Sequence, residues 1–171
     1  METEIINRVA SSPLVTINLE DFYHPAERVV FDMKDCLFMG LILKEKDFRE
    51  FVKNHDWAQY GGKNVAVTCT ADAVVPTWAY MLVAEKLQPH ANFYTFGTLE
   101  VLENALFLNA LANFDAAQYA DKMIVIKGCF DKPVPTGAYI EITRLLSPYV
   151  KSLMYGEPCS TVPIFKRKKQ E

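Results

Sequence analysis

The chain has 171 residues, of which 50% are hydrophobic and 23% charged, so it can bury a sizeable core and suits one globular domain, or one domain with an appended layer. Its formal net charge of −3 argues against a nucleic-acid-binding protein, a class that usually carries a basic face. The acidic start is not a signal-peptide pattern, and no run of about 18 uncharged apolar residues occurs, so we expect a cytosolic protein without a transmembrane helix.

The first 62 residues predict short strands and one helix. Strands are expected at Val15–Leu19, Arg28–Met33 and Leu37–Leu43, and a helix at Lys46–Asn54. The alternation of apolar and polar residues in the first strand is typical of a sheet with one solvated face. We therefore expect residues 1–62 to form an antiparallel β-layer packed on the main sheet.

From Lys63 onward, strands and helices alternate. Strands are expected at Val65–Thr68, Phe93–Phe96, Met123–Lys127 and Ser152–Tyr155, and helices at Trp78–Leu87, Leu99–Asn113 and Gly137–Ser147, with Thr98 as an N-cap. This order favours a mostly parallel sheet with right-handed crossovers. We expect an α/β fold in which residues 63–165 form a three-layer, Rossmann- or flavodoxin-like core. A solvated basic tail at 166–171 completes one structural unit.

Three of the four cysteines each follow a β-like run and precede a Val-Pro step. They are Cys69 before Val75-Pro76, Cys129 before Val134-Pro135, and Cys159 before Val162-Pro163. The first two steps belong to a longer match, Val-Pro-Thr-x-Ala-Tyr, at residues 75–80 and 134–139. Local turn chemistry explains this match, because proline favours a first helical turn and the residue before it is extended. An ancient βα duplication explains it equally well.

The duplication has a geometric consequence if the sheet order of the four core strands is 2-1-3-4. Cys69 and Cys129 then lie side by side at the switch point where open α/β sheets bind ligands, with Cys159 next to them. Thiolates are soft ligands that select iron–sulfur clusters, zinc and copper(I). We therefore predict that these three cysteines bind a cluster or a metal ion. Asp72 and Asp131 are weaker candidate ligands, since such residues often only cap local turns.

Four longer stretches resemble the signature segments of a bacterial family catalogued as domain of unknown function 2480. They are Glu45–Arg49, His55–Trp57, Val67–Tyr80 and Lys151–Pro163. The resemblance covers essentially the whole chain, but the family has no established activity to carry over. It implies a gene neighbourhood close to iron–sulfur cluster assembly genes, and hence partners among iron–sulfur assembly proteins. Such an association is not itself evidence of chemistry.

Three hypotheses follow for the function. The leading one is an accessory protein of iron–sulfur biogenesis that stores, hands over or senses a cluster or zinc. The second is a thiol-dependent enzyme, in which one exposed cysteine of low pKa carries sulfur as a persulfide or performs redox chemistry. The third is a non-catalytic binding module, whose buried thiols pack as small hydrophobic residues and whose function lies in an apolar surface. Cys36 is interpreted as structural in all three. No nucleic-acid or membrane partner is expected, and a homo-oligomer is compatible with each.

Overall fold

The computed structural model describes residues 14–128 and 131–168. These ranges contain seven strands: β1 Leu14–Asn18, β2 Arg28–Asp32, β3 Asn64–Thr68, β4 Phe93–Phe96, β5 Met123–Lys127, β6 Ser152–Glu157 and β7 Ser160–Lys166. They also contain four α-helices: α1 Glu45–Asn54, α2 Thr77–Leu87, α3 Leu99–Leu111 and α4 Thr136–Leu146. Short 3-10 helices lie at Leu19–Phe22, Met33–Cys36, Trp57–Tyr60 and Ala117–Tyr119. No helix in the described ranges is long and apolar enough to span a bilayer.

The strands form two sheets, of order β1-β5-β6-β7 and β2-β3-β4. All strand pairs are parallel except β6 with β7, which form an antiparallel hairpin. The centres of β3 and β5 are buried, which explains their nearly continuous apolar sequence. The mixed α/β class with mainly parallel sheets is therefore confirmed, and the three-layer Rossmann-like arrangement stays a prediction.

The N-terminal strands are built into these two sheets. β1 runs parallel to β5, with Leu14 opposite Met123, and β2 runs parallel to β3, with Arg28 opposite Asn64. The antiparallel N-terminal layer expected from the sequence is therefore not confirmed. The alternation in β1 arises instead because this strand lies at the edge of its sheet and is only partly covered.

The strand expected at Leu37–Leu43 is wrong, because this segment is a tight turn. Phe38 and Ile42 form an isolated antiparallel bridge, and the two residues near its tip, Met39 and Gly40, have φ values of 53° and 71°. Positive φ at two successive residues is typical of the turns that reverse the chain within a few residues. The apolar run therefore reverses direction rather than continuing as a strand.

The hypothetical order 2-1-3-4 of the four core strands, which are β3, β4, β5 and β6 in chain order, is also wrong. It required β3 and β5 to be neighbours, but β3 pairs with β2 and β4, whereas β5 pairs with β1 and β6. The segments that follow β3 and β5 therefore leave two different sheets.

The chain divides into two compact units. The continuous unit comprises residues 24–106, and the split unit comprises the described parts of 1–23 and 107–171. The continuous unit contains the sheet β2-β3-β4 with α1, α2 and the first part of α3. The split unit contains the sheet β1-β5-β6-β7 with the end of α3 and with α4. The boundary expected near residue 62 lies inside the continuous unit.

Each unit has its own hydrophobic core. In the continuous unit, Phe48 of α1 and Val83 of α2 are fully buried in one cluster with residues of β2 and β3. In the split unit, Phe107 of α3 and Ile142 of α4 are fully buried with Ile124 of β5. Full burial of one such side chain contributes about 1.5–3 kcal/mol, so each unit has a substantial core of its own.

The two units repeat one another at a constant spacing. Residues 48–97 align with residues 107–156 without a gap, so each residue corresponds to the one 59 positions later. The identical pairs are Phe48/Phe107, Asn54/Asn113, Asp56/Asp115, Ala58/Ala117, Gln59/Gln118, Tyr60/Tyr119, Lys63/Lys122, Asp72/Asp131, Val75/Val134, Pro76/Pro135, Thr77/Thr136, Ala79/Ala138, Tyr80/Tyr139, Leu87/Leu146, Pro89/Pro148 and Gly97/Gly156. Because these sixteen identities extend from helix cores to strand ends, local turn chemistry alone does not explain them, and a duplication does.

Backbone geometry follows the same correspondence. Gly62 and Asp121 correspond, and both have positive φ, at 68° and 59°. The N–H of Gly62 donates to the carbonyl of His90 at 2.9 Å, and the N–H of Asp121 donates to the carbonyl of Tyr149 at 3.0 Å. Positive φ is uncommon for a residue with a side chain, so the shared geometry identifies the same turn in both units.

The first strands of the two units also correspond. The first residues of β2 and β1, Arg28 and Leu14, lie opposite Asn64 and Met123, which correspond to each other in the repeat at the spacing of 59 residues. Both strands have the same burial pattern and continue into a 3-10 helix. The side chain of Asn18 accepts from the N–H of Glu20 at 3.2 Å, and that of Asp32 accepts from the N–H of Lys34 at 3.0 Å. The repeated unit is therefore a strand, a 3-10 helix, a helix and two further parallel strands joined by a helix.

Candidate functional site

Cys69 directly follows β3, at the carboxyl edge of the continuous unit's sheet. Its side chain is half-buried against the unit's core, and its Sγ lies 3.7 Å from the carbonyl oxygen of Ala71. Burial, followed by the charges of Cys69 and Asp32, raises the pKa of Tyr80. Cys69 and Tyr80 therefore share one local environment at the strand end.

Asp32, at the end of β2, fixes the loop that follows Cys69. Its carboxylate accepts hydrogen bonds from the N–H and the hydroxyl of Thr70, at 3.1 and 2.6 Å. Burial acts to raise the pKa of Asp32, but the hydrogen bonds from Thr70 and Lys34 outweigh it, and the pKa is lowered. The carboxylate thus stays charged at neutral pH and holds the loop against the end of β2.

Cys36 ends the 3-10 helix that follows β2. Burial, followed by the charges of Asp35, Asp32 and Cys69, raises the pKa of its thiol to about 12. Since the thiolate is the nucleophilic form, this thiol is unreactive at neutral pH. Its environment agrees with the structural role predicted for Cys36.

The other two cysteines of the predicted metal site belong to the split unit's part of the chain. Cys159 is exposed at the turn between β6 and β7, so it follows a strand but does not precede a helix. Cys129 lies outside the described residues. By the repeat, Cys69 corresponds to Gly128, and Cys129 corresponds to Thr70, so the two thiols are not equivalent positions.

The two candidate aspartates are corresponding residues of the repeat. Asp72 and Asp131 are both exposed, and the backbone N–H of Asp131 donates to Oε1 of Glu20 at 3.1 Å. Among residues 14–128 and 131–168, no group of three His, Cys, Asp or Glu side chains could hold a metal ion. Because the predicted ligand set includes Cys129, the site of three cysteines stays a prediction.

A cavity of about 250 Å³ lies in the split unit, between α4 and the sheet. It is lined by Ile126 of β5, Leu153, Met154 and Tyr155 of β6, Ile164 of β7, and Thr136, Tyr139 and Thr143 of α4. The three α4 residues lie on one helix face. Ile126 and Tyr155 lie near the carboxyl ends of their strands, which is where α/β folds bind ligands.

The cavity wall is apolar with a few hydroxyl groups. The Tyr139 and Tyr155 rings pack edge to face, with centroids 5.7 Å apart. The hydroxyl of Thr143 donates to the carbonyl of Tyr139 at 2.7 Å, and its oxygen can still accept a hydrogen bond. The described residues that line the cavity include no charged side chain. The wall therefore suits an uncharged, mostly apolar molecule with one polar group.

β7 is the wall of the cavity that the sequence analysis missed. It pairs with β6 as an edge strand, and its Ile164, which is 52% exposed, lines the cavity. No strand was predicted around Val162-Pro163, although proline is tolerated in an edge strand. The signal that could have identified β7 is the Gly156–Ser160 turn between two runs with β-branched or aromatic residues.

The fold and the cavity define a mixed α/β protein built from two repeated units, with a ligand-sized cavity in the split unit. The chain belongs to the family described as protein of unknown function (DUF2480), whose model matches residues 3–167. No curated protein and no solved structure matches the chain.

Proposed function

We propose that the protein is a non-catalytic binding module that holds a small, uncharged, mostly apolar molecule in the split-unit cavity. The observation that carries this proposal is β7. The repeat ends at Gly156, so β7 is an addition to the duplicated fold, and it contributes Ile164 to the cavity wall. In the continuous unit the sheet ends at β4, where Phe96, the counterpart of Tyr155, is 65% exposed.

The size of the cavity limits the ligand. Apolar cavities of about 150 Å³ take up benzene, and pockets for drug-sized ligands have about 300–1,000 Å³. A cavity of about 250 Å³ falls between these sizes and suits one or two fused rings or a short alkyl chain. The hydroxyls of Thr136 and Thr143 supply the partners for a polar group on such a molecule.

Saturation-transfer NMR with 4-ethylphenol and indole tests the proposal. We expect both probes to receive saturation from the wild-type protein, and Thr143→Trp to abolish the transfer by filling the cavity. Ile140→Trp is the matched control, because Ile140 lies on the same helix, is 67% exposed and does not line the cavity. Failure of both probes to bind the wild type, or equal binding to Thr143→Trp, would overturn the proposal.

A second proposal is that Cys69, Cys129 and Cys159 bind an iron–sulfur cluster or zinc in the cytosol, with iron–sulfur assembly proteins as partners. Its support is the half-buried thiol of Cys69 at the carboxyl end of β3 and the exposed thiol of Cys159. Anaerobic purification followed by iron, acid-labile sulfide and zinc analysis tests it. Each single cysteine replacement should lower the metal content, and unchanged content in all three variants would contradict it.

A further inference from the structure

A groove of about 380 Å³ lies between α1 and α2 on the continuous unit. Three cationic side chains, Arg49, Lys53 and Lys86, form its rim, and Val52, Trp57 and Leu82 form its floor. We call this site the basic groove. It combines positive charge with apolar surface, and its described lining contains no carboxylate.

The floor of the basic groove is rigid. The indole N–H of Trp57 donates to the carbonyl of Val52 at 2.8 Å, and these residues are 7% and 3% exposed. The Trp57 ring also stacks on Phe31, with centroids 5.4 Å apart and an interplanar angle of 26°. A floor fixed in this way loses little conformational freedom when a ligand binds.

The rim is adaptable. Arg49 pairs with Glu45 at 2.9 Å, and Lys86 pairs with Glu85 at 3.0 Å. Both acidic partners are well exposed, at 63% and 65% of their side chains, and exposed ion pairs add little to stability. An incoming carboxylate can therefore replace either acidic partner at small cost.

The repeat provides an internal comparison for these positions. The rim residues Arg49, Lys53 and Lys86 correspond to Leu108, Ala112 and Leu145 of the split unit. The neighbouring core position 48 keeps its character, since Phe48 corresponds to the identical Phe107 and both are fully buried. The duplicated fold therefore forms without the three cations, and their presence in one unit points to a role other than folding.

We propose that the basic groove binds an acidic, amphipathic segment of a partner protein. Cations on the rim complement acidic residues, and the apolar floor between two helices accepts apolar side chains, as in helix-in-groove recognition. Nucleic acid fits less well, because its binding depends on the neutralisation of many backbone phosphates and this rim offers three cations.

The test begins with selection of random 14-residue peptides displayed on phage, using the full chain as target. We expect the selected peptides to have Asp or Glu flanking Leu or Phe.

The affinities of the selected peptides are then measured by fluorescence anisotropy for the wild type and for Arg49→Leu/Lys53→Ala/Lys86→Leu. This variant installs the residues of the other unit. Its affinity should fall at least about tenfold, since close charge pairs across an interface are coupled energetically.

The matched control is Lys151→Ala/Lys166→Ala/Lys168→Ala, which removes the same charge from exposed positions of the split unit. It should change the affinity less than about twofold, as expected for remote surface charges screened by salt. If the triple groove variant does not fold by circular dichroism, Lys53→Ala alone serves, with a smaller loss expected. Selection of no peptide, of peptides without acidic residues, or of peptides that bind the groove variant equally would overturn the proposal. The proposal would also be overturned if a 20-nucleotide single-stranded DNA displaced the labelled peptides at a lower concentration than the unlabelled peptide does.

Discussion

The hydroxyl of Tyr139 lies beside Gly128 in the space that any other residue at position 128 would need. A Cβ on Gly128 would lie 2.6 Å from the Tyr139 hydroxyl oxygen. The corresponding pair in the continuous unit is Cys69 and Tyr80, and there the strand end carries a side chain. The glycine thus allows Tyr139 to approach the end of β5, where its ring lines the cavity.

Gly128→Ala should lower the free energy of unfolding by about 1–3 kcal/mol, the usual cost of overpacking a well-packed site. Tyr139→Phe in the same chain should recover part of this loss, because it removes the atom closest to the new Cβ. Urea denaturation measures both effects. Cys69→Ala is the control at the corresponding position, and it should cost less than Gly128→Ala. An unchanged stability of Gly128→Ala would contradict the close approach.

Arg28→Ala should destabilise the continuous unit by about 3–5 kcal/mol, because it removes one partner of a shielded ion pair. The Arg28 guanidinium makes two hydrogen bonds of 2.8 Å with Glu103 and also donates to the carbonyls of His24 and Ala26. The paired side chains are only 14% and 17% exposed. Arg28→Lys should restore little of the loss, since lysine cannot make the planar, two-pronged contact.

The control for this prediction is Arg49→Ala, which breaks the exposed pair with Glu45. It should cost less than about 1 kcal/mol. Guanidinium denaturation distinguishes the two variants. Similar losses in Arg28→Ala and Arg49→Ala would show that burial of the first pair has no effect on stability.

The free energy of unfolding should decrease as the pH is lowered, because of His55. Burial lowers the pKa of His55 from its ordinary value, with a smaller opposing effect of Asp56. The unfolded chain therefore binds the proton at a higher pH than the folded chain. His55 thus lowers stability as the pH falls from above about 6.5 toward its lower folded pKa.

His55→Phe should flatten the pH profile of stability between about pH 5 and 7, since the titrating group is removed. The change copies the other unit, where the corresponding residue is Phe114. It also removes the 3.1 Å hydrogen bond between His55 Nε2 and the Tyr60 hydroxyl, which affects stability at every pH. Urea denaturation at four pH values measures the slope, and equal slopes for wild type and variant would refute the prediction.

Iodoacetamide should alkylate Cys159 well before Cys36 at pH 8. Cys159 is exposed, whereas the pKa of Cys36 is raised to about 12, so roughly one Cys36 in ten thousand is a thiolate at that pH. Mass spectrometry of tryptic peptides gives both rates, and urea-unfolded protein is the control in which they should converge. Equal rates in the folded protein would mean that Cys36 is not shielded.

The local elements could be predicted from the sequence because their signals are local. β4 and β5 begin and end at the residues expected, and Thr98 caps α3 by accepting from the N–H of Val101 at 3.3 Å. The pairing of strands could not be predicted in the same way. β1 and β2 have the same burial pattern, yet Leu14 lies opposite Met123 and Arg28 lies opposite Asn64. Hydrophobic spacing shows that a strand is half-covered, but not which distant strand covers it.

The cavity could not be predicted for a related reason. Its wall combines side chains of α4 with those of three strands, and only the fold brings these together. The cysteine pattern instead predicted a site in the loops that follow strands. One of these loops, after Cys69, is held in place by hydrogen bonds from Thr70 to Asp32. Two of the basic groove's three cations, on α1, can be seen in the sequence. Without comparison with the corresponding residues of the other unit, however, these charges resemble those of any solvated helix face.

The split unit is interrupted in sequence by the whole continuous unit, and this has a consequence for synthesis on the ribosome. β2, β3 and β4 leave the exit tunnel in succession, so the continuous unit can complete its sheet from neighbouring segments. β1 leaves the exit tunnel first but cannot pair until β5 has been synthesised, since Leu14 pairs with Met123. Domains generally fold as units during synthesis, and pairing across a long separation is slow. We therefore expect stalled nascent chains whose residues 1–106 have left the exit tunnel to protect β2–β4 from proteolysis while β1 is still cleaved.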